Sequence, residues 1–235
     1  MGTRGKQYAS NRKNIDPRKV YVLEEAINLA RTSNFAKFDE SFDMAIRLGV
    51  NPKYSEQMVR GACSLPHGTG KPVRVLVFAK GEKAAEATAA GAEFVGGEEL
   101  IAKIAEEEFL DFDKAIATPD MMAKVGKLGK ILGRKGLMPN PKLGTVTFDV
   151  ATAVREAKGG RIEFKVEKAG IVHSVVGRKS FTNEQLKDNV LALIETIIKL
   201  RPPTVKGAYV KSIGLSTTMG VGVKVDVNEL VARFR

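Results

Sequence analysis

SLPHGTGKPVRVLVF, residues 64–78, holds the change of pattern that decides the fold. Residues 64–72 are crowded with Gly and Pro and read as a linker. Val73, Val75, Leu76, Val77 and Phe78 follow as a strand that is apolar on both faces. Beyond it the Ala-rich stretch 82–90 has a helical composition, 93–95 is a short strand and 98–108 is helical. Ala115-Ile116-Ala117 is another short strand, and Pro119 opens a further helix. Short apolar strands alternating with helices predict a parallel sheet covered on both sides. The pattern ends near Ala157, where Lys158-Gly159-Gly160 forms a second flexible joint. Pro66, Gly68 and Gly70 at the first joint, and Gly159 and Gly160 at the second, are the candidate hinge residues.

The flanks read differently. Upstream, SFDMAIRL (41–48) alternates apolar and polar residues, the mark of a half-buried strand. Asp16-Pro17 predicts a helix start, with Val20, Leu23, Ala26, Ile27 and Ala30 at helical spacing. Downstream, RIEFKVEK and IVHSVVG predict a hairpin across Ala169-Gly170. A helix over 183–199 follows, stopped by Pro202-Pro203, then strands near 207–215 and 221–227 around a polar turn at 216–220. The N-terminal flank offers about one good strand, too little to stand alone as a third domain. The economical architecture is α/β plus α+β. Residues 1–67 and 159–235 form a split antiparallel α+β domain, and residues 68–158 form an inserted three-layer α/β domain.

Charge follows the same division. The 235 residues carry a net charge of +11, which calls for a polyanion, nucleic acid or an anionic membrane surface. No apolar run approaches the roughly 20 residues of a membrane span. The N-terminus has no secretory pattern, and Lys6 stands where a myristoylation signal wants Ser or Thr. A single cysteine, Cys63, excludes an intramolecular disulfide and suits a reducing cytoplasm; it reads as a small, semi-buried residue. Residues 70–158 hold 14 Lys+Arg against 13 Asp+Glu, while the remainder holds 24 against 14. The surplus therefore sits on the composite domain, and nucleic acid is the expected partner.

Motifs for other chemistry fail. GTGKP at 68–72 lacks the Walker pattern, because Leu65 and Pro72 occupy positions that need Gly and Ser or Thr. One Cys and two His, His67 and His173, cannot build a structural zinc site. No metal, cofactor, small-molecule substrate or enzymatic activity is expected. Gly133-Arg134-Lys135-Gly136 has the form of an RNA-clamping GxxG loop, but Pro139 and Pro141 forbid the helix that should follow. Arg134 and Lys135 remain as a secondary RNA contact. The strongest pair of segments is Lys37-Phe38-Asp39-Glu40-Ser41 and Ser216-Thr217-Thr218-Met219-Gly220. Hydroxyls, an apolar Met and a permissive Gly suit sugar edges and unstacked bases.

At these residues the chain resembles the bacterial ribosomal protein L-one family. The resemblance is carried by KFDES (37–41), VRGACSLPHGTGKPVRVLVFAKG (59–81), LGRKGLMPNPKLGTVT (132–147) and STTMGVGV (216–223). Arg134 departs from it, since bacterial members often have Pro there. The resemblance implies a split α+β domain with a Rossmann-like insertion. It implies a monomer when free that works in the cytoplasm on the ribosome. Its partners would be the 23S rRNA stalk, tRNA leaving the exit site and the mRNA of its own operon. It places RNA contacts on Phe38, Ser41, Thr218, Met219 and Gly220, with Thr217 beside them. Charge and position add Lys37, Lys165, His173 and Lys179.

Overall fold

The computed structural model describes residues 5–107 and 109–234. In chain order the elements are α1 (Lys6–Lys13), α2 (Leu23–Thr32), β1 (Ser41–Leu48), β2 (Arg60–Ser64), β3 (Val75–Phe78), α3 (Glu82–Ala89), β4 (Phe94–Gly96), α4 (Glu98–Glu107) and β5 (Lys114–Ala117). They continue with α5 (Pro119–Val125), α6 (Gly129–Lys135), α7 (Val150–Lys158), β6 (Arg161–Lys165), β7 (Ile171–Arg178), α8 (Asn183–Lys199), β8 (Val210–Thr217), β9 (Val223–Val225) and α9 (Val227–Ala232). Two compact units emerge. One contains residues 1–70 and 162–235, the other residues 71–161.

In the first unit a four-stranded sheet runs in the order β7-β1-β8-β9, with antiparallel neighbours throughout. Alternation in β1 sends Phe42, Met44, Ile46 and Leu48 into the core. There they meet Leu23, Ala26, Ile27 and Ala30 of α2 and Leu186, Val190, Leu193, Ile194 and Ile197 of α8. The start of α8 is fixed by a capping box. Thr182 Oγ1 accepts from the Gln185 N–H, and Gln185 Oε1 accepts from the Thr182 N–H.

In the second unit β4-β3-β5 form a parallel sheet. Successive residues of β3 serve opposite faces, as a strand's period of two requires. Leu76 and Phe78 join a core with Ile104, Met121, Val125 and Leu132, whereas Val75 and Val77 join one with Ala87, Val150 and Val154. Helices therefore cover both faces, which is why β3 carries no polar side.

Three local expectations are corrected. The first long helix begins at Leu23, not after Pro17. Tyr21 is drawn to the edge of β9, donating its N–H to Lys224 O and accepting from the Asp226 N–H, so sheet pairing takes the backbone that a helix would need. The strands over 161–177 form no hairpin ladder. β6 pairs with β2 and β7 with β1, which leaves a turn closed by Glu167 N–H to Ile171 O. The N-terminal flank also supplies two strands rather than one, since β2 is a second.

Candidate nucleic-acid interface

One end of the four-stranded sheet gathers the two singled-out segments. β1 starts where β8 finishes, with Phe42 opposite Thr217. The Ser41 N–H donates to Thr218 Oγ1 at 3.1 Å, and the Thr218 N–H returns a bond to Ser41 O at 3.2 Å. On the other side of β1, Ser41 faces Arg178. The Lys179 N–H donates to Glu40 O, and Arg178 Nη1 to Asp39 O. The Asp39 carboxylate takes both the N–H and the hydroxyl of Ser180. Lys179 Nζ reaches Asn34 Oδ1 at 3.0 Å. Residues 34–41, 178–180 and 216–220 are thereby one surface.

Lys37, Phe38, Thr218 and Met219 point outward; Phe38 is 54% exposed and Met219 49%. Ser41 is half-buried beneath them. Glu40 is fully buried and holds the Met219 N–H with Oε2 at 3.0 Å. Gly220 is required for space: a Cβ there would lie 2.2 Å from Thr217 Oγ1. Among the described residues Asn34 Nδ2, Glu40 Oε1 and Thr217 Oγ1 are buried without a hydrogen-bond partner. These three, of five such atoms among the described residues, belong to this end of the sheet, and such orphans are few in folded proteins.

Some sequence-selected residues lie elsewhere. Thr217 is 2% exposed, because strand alternation turns its side chain inward while Thr218 faces out. His173 pairs with Ala45, about four residues or ~13 Å along β1 from Ser41. It is exposed and lies 3.2 Å from Glu167 Oε1. Burial pushes the nearby Asp43 carboxyl up, against a downward pull from His173. Lys165 is exposed on β6, in the two-stranded sheet, beside Lys53, Met58 and Lys168. Asp39 and Glu40 lie in the quoted segment without being singled out within it, and Asn34 and Arg178 carry no sequence signal. They act as frame rather than as outward contacts, and no local pattern marks an acid that will be buried.

A model of the Ribosomal protein L1p/L10e family matches residues 29–221. The chain belongs to this family. It is 58% identical over 226 residues to the large ribosomal subunit protein uL1 of Nitratidesulfovibrio vulgaris, covering 96% of both chains. It is 57% identical to that of Desulfotalea psychrophila and 56% to that of Syntrophobacter fumaroxidans, each over the same share. It is thus a ribosomal protein. The matched span takes in both segments of the sheet-end surface and the whole second unit. Among the described residues no helix is long and apolar enough to cross a membrane.

In this ribosomal protein the second unit has a charge pattern that its near-zero net charge conceals. Arg134 and Lys135 lie not on a loop but on the last turn of α6, which Gly136 ends with a φ of 73°. Residues 121–148 contain six Lys or Arg and no Asp or Glu. Lys127, Lys130, Arg134, Lys135 and Lys142 are exposed and, among the described residues, make no ion pair. Lys130, Arg134 and Lys135 rim a depression with Leu110 and Ile131 at its walls.

The expected hinge residues fall on two sides. Asn189 in α8 is fully buried, accepts from the His67 N–H and donates to Gly68 O. Pro66 and Gly68 are thereby part of the first unit, as is Gly70, where an added Cβ would meet the side chains of Phe181 at 2.8 Å and Arg178 at 3.1 Å. Gly159 and Gly160 belong to the second unit. The chain crosses between units at 70–71 and 161–162.

Proposed function

We infer that this protein is the uL1 component of its ribosome, binding the stalk of 23S rRNA in the cytoplasm and repressing translation of its own operon mRNA through the same face. One observation carries the reading. Segments about 175 residues apart in sequence are fused by the β1–β8 register into one surface of exposed hydroxyl, thioether and aromatic groups. That surface stands on the more cationic unit. Residues 71–161 carry 15 Lys+Arg against 13 Asp+Glu, and the other unit carries 23 against 14. Cations supply salt-dependent affinity for phosphate, while Phe38, Ser41, Thr218, Met219 and Gly220 select RNA by shape. Lys37 and Lys179 stand at its edge.

Competition of a 23S stalk fragment against bulk RNA at physiological salt tests this. Met219→Asp is expected to weaken the stalk fragment by tenfold or more while barely changing bulk RNA. Equal losses on both would refute selective recognition at this face. Operon mRNA bound at the same face is displaced by the stalk fragment in proportion; simultaneous binding of both would refute a shared site.

The second unit supports a further partner. Lys127, Lys130, Arg134, Lys135 and Lys142, which make no ion pair among the described residues, suit the backbone of tRNA leaving the exit site, which the protein helps to release. Lys130→Glu with Arg134→Glu is expected to reduce tRNA affinity and to leave the stalk fragment unchanged. A double variant that binds tRNA like the wild type would remove this role.

A further inference from the structure

The N-terminal helix α1 stands beside the sheet-end surface, and the space between them is walled. An open cavity of about 630 Å³ is lined by Gly5, Lys6, Gln7, Tyr8, Phe35 and Met219. That size lies within the range of roughly 300–1,000 Å³ for small-ligand pockets. We propose that this cavity receives one unstacked base of the stalk rRNA. The proposal rests on the sheet-end surface being the rRNA face.

The side chains fit that occupant. Tyr8 and Phe35 offer two aromatic rings and Met219 a polarizable thioether, the groups on which splayed bases stack. Gln7 has an amide that can both donate to and accept from a base edge. Lys6, the one charged residue of the lining among the described residues, is cationic, as a flanking phosphate requires. Among the described residues no acid lines the cavity, which disfavours a basic peptide as occupant.

Position makes the same case. Met219 belongs to both places: its backbone N–H is fixed by Glu40 inside the RNA face, and its side chain forms the cavity wall. An RNA strand held on Thr218 and Ser41 therefore passes the cavity mouth. The helix that closes the far side is held at Tyr8, which is partly buried against the core of the first unit. α1 buries none of its own residues, and Asn11 Nδ2 donates to Ser33 O at 2.6 Å. Ile15, just beyond it, is anchored in the core.

The test is a scan of the 23S stalk fragment with single abasic substitutions at unpaired positions, read by binding affinity with wild-type protein and with Phe35→Ala. At one position the wild type is expected to lose about tenfold, the size of one stacked base. Phe35→Ala should lose a similar factor on intact RNA and nothing further at that position, and Phe35→Tyr should restore both. To separate a lost base contact from a shift of α1 in Phe35→Ala, 2-aminopurine at the same position supplies a second readout. Its fluorescence should be quenched on binding the wild type and less so with Gln7→Ala-Tyr8→Ala. If no position is coupled to Phe35 while Met219→Asp still weakens the fragment, the cavity is not a base site. If Met219→Asp is also without effect, the face itself is misplaced and the cavity proposal falls with it.

Discussion

Gly220 and Thr217 show how tightly the RNA face is made. The Cβ that any other residue would add at 220 overlaps the Thr217 hydroxyl, which is itself buried with no partner. Gly220→Ala should therefore destabilise the first unit by about 1–3 kcal/mol through overpacking. Thr217→Ala in the same chain should return much of that loss, since the offending oxygen is gone. Thermal unfolding of both variants decides it: an additive double variant would mean that the overlap is relieved in some other way. The role of Thr217 was misjudged from sequence for a physical reason. In STTMG each hydroxyl looks equivalent, but a strand sends alternate side chains to opposite faces, and the register with β1 decides which face is core.

Asn189 illustrates the element scale. It sits on the buried face of α8, among Leu186, Val190 and Leu193, where the helical pattern calls for an apolar residue. Its amide instead serves three backbone groups, accepting from the His67 N–H and donating to Gly68 O and Val176 O. It ties the chain leaving β2 and the end of β7 to one helix. Asn189→Leu preserves volume but strands those groups, and should cost about 3 kcal/mol of first-unit stability. A loss below half a kcal/mol in denaturant titration would indicate that water replaces the amide. Helix α8 itself was legible residue for residue, because its apolar spacing is long and its Thr182 cap and Pro202 stop are local signals. The pairing of β6 with β2 was not legible. Turn residues at 169–170 suggest a hairpin, and only the three-dimensional position of β2 reveals a better edge.

Across the whole molecule, each unit has its own charge pattern. In the second unit, Lys71 and the Arg74 N–H hold the Asp113 carboxyl down at about 2, and Lys124 with Lys80 holds Glu98 at about 2. Their ordinary values are 3.8 and 4.5. Since the folded values are the lower ones, their stabilising contribution is complete above about pH 4.5 and fades as pH falls toward 2. The melting temperature of the second unit should decline over that window, and Asp113→Asn should flatten the decline; an unchanged profile would assign the acid sensitivity elsewhere. For the RNA face, neutralising about five phosphates predicts a slope of about −3.5 to −4.5 in log affinity against log salt, and a flat titration would contradict it. The sequence alone determined the fold class, the insertion of a parallel-sheet unit into a split one, the long helices and the cationic character. Those properties depend on composition, apolar period and turn residues, all of which are local. Tertiary structure decided which hydroxyls face outward, that Glu40 and Asn189 are buried as frame, that α1 walls a cavity with Met219, and that five cations between residues 127 and 142 make no ion pair among the described residues. Each of these depends on which distant segments become neighbours, and that is set by strand register and packing rather than by any short stretch of chain.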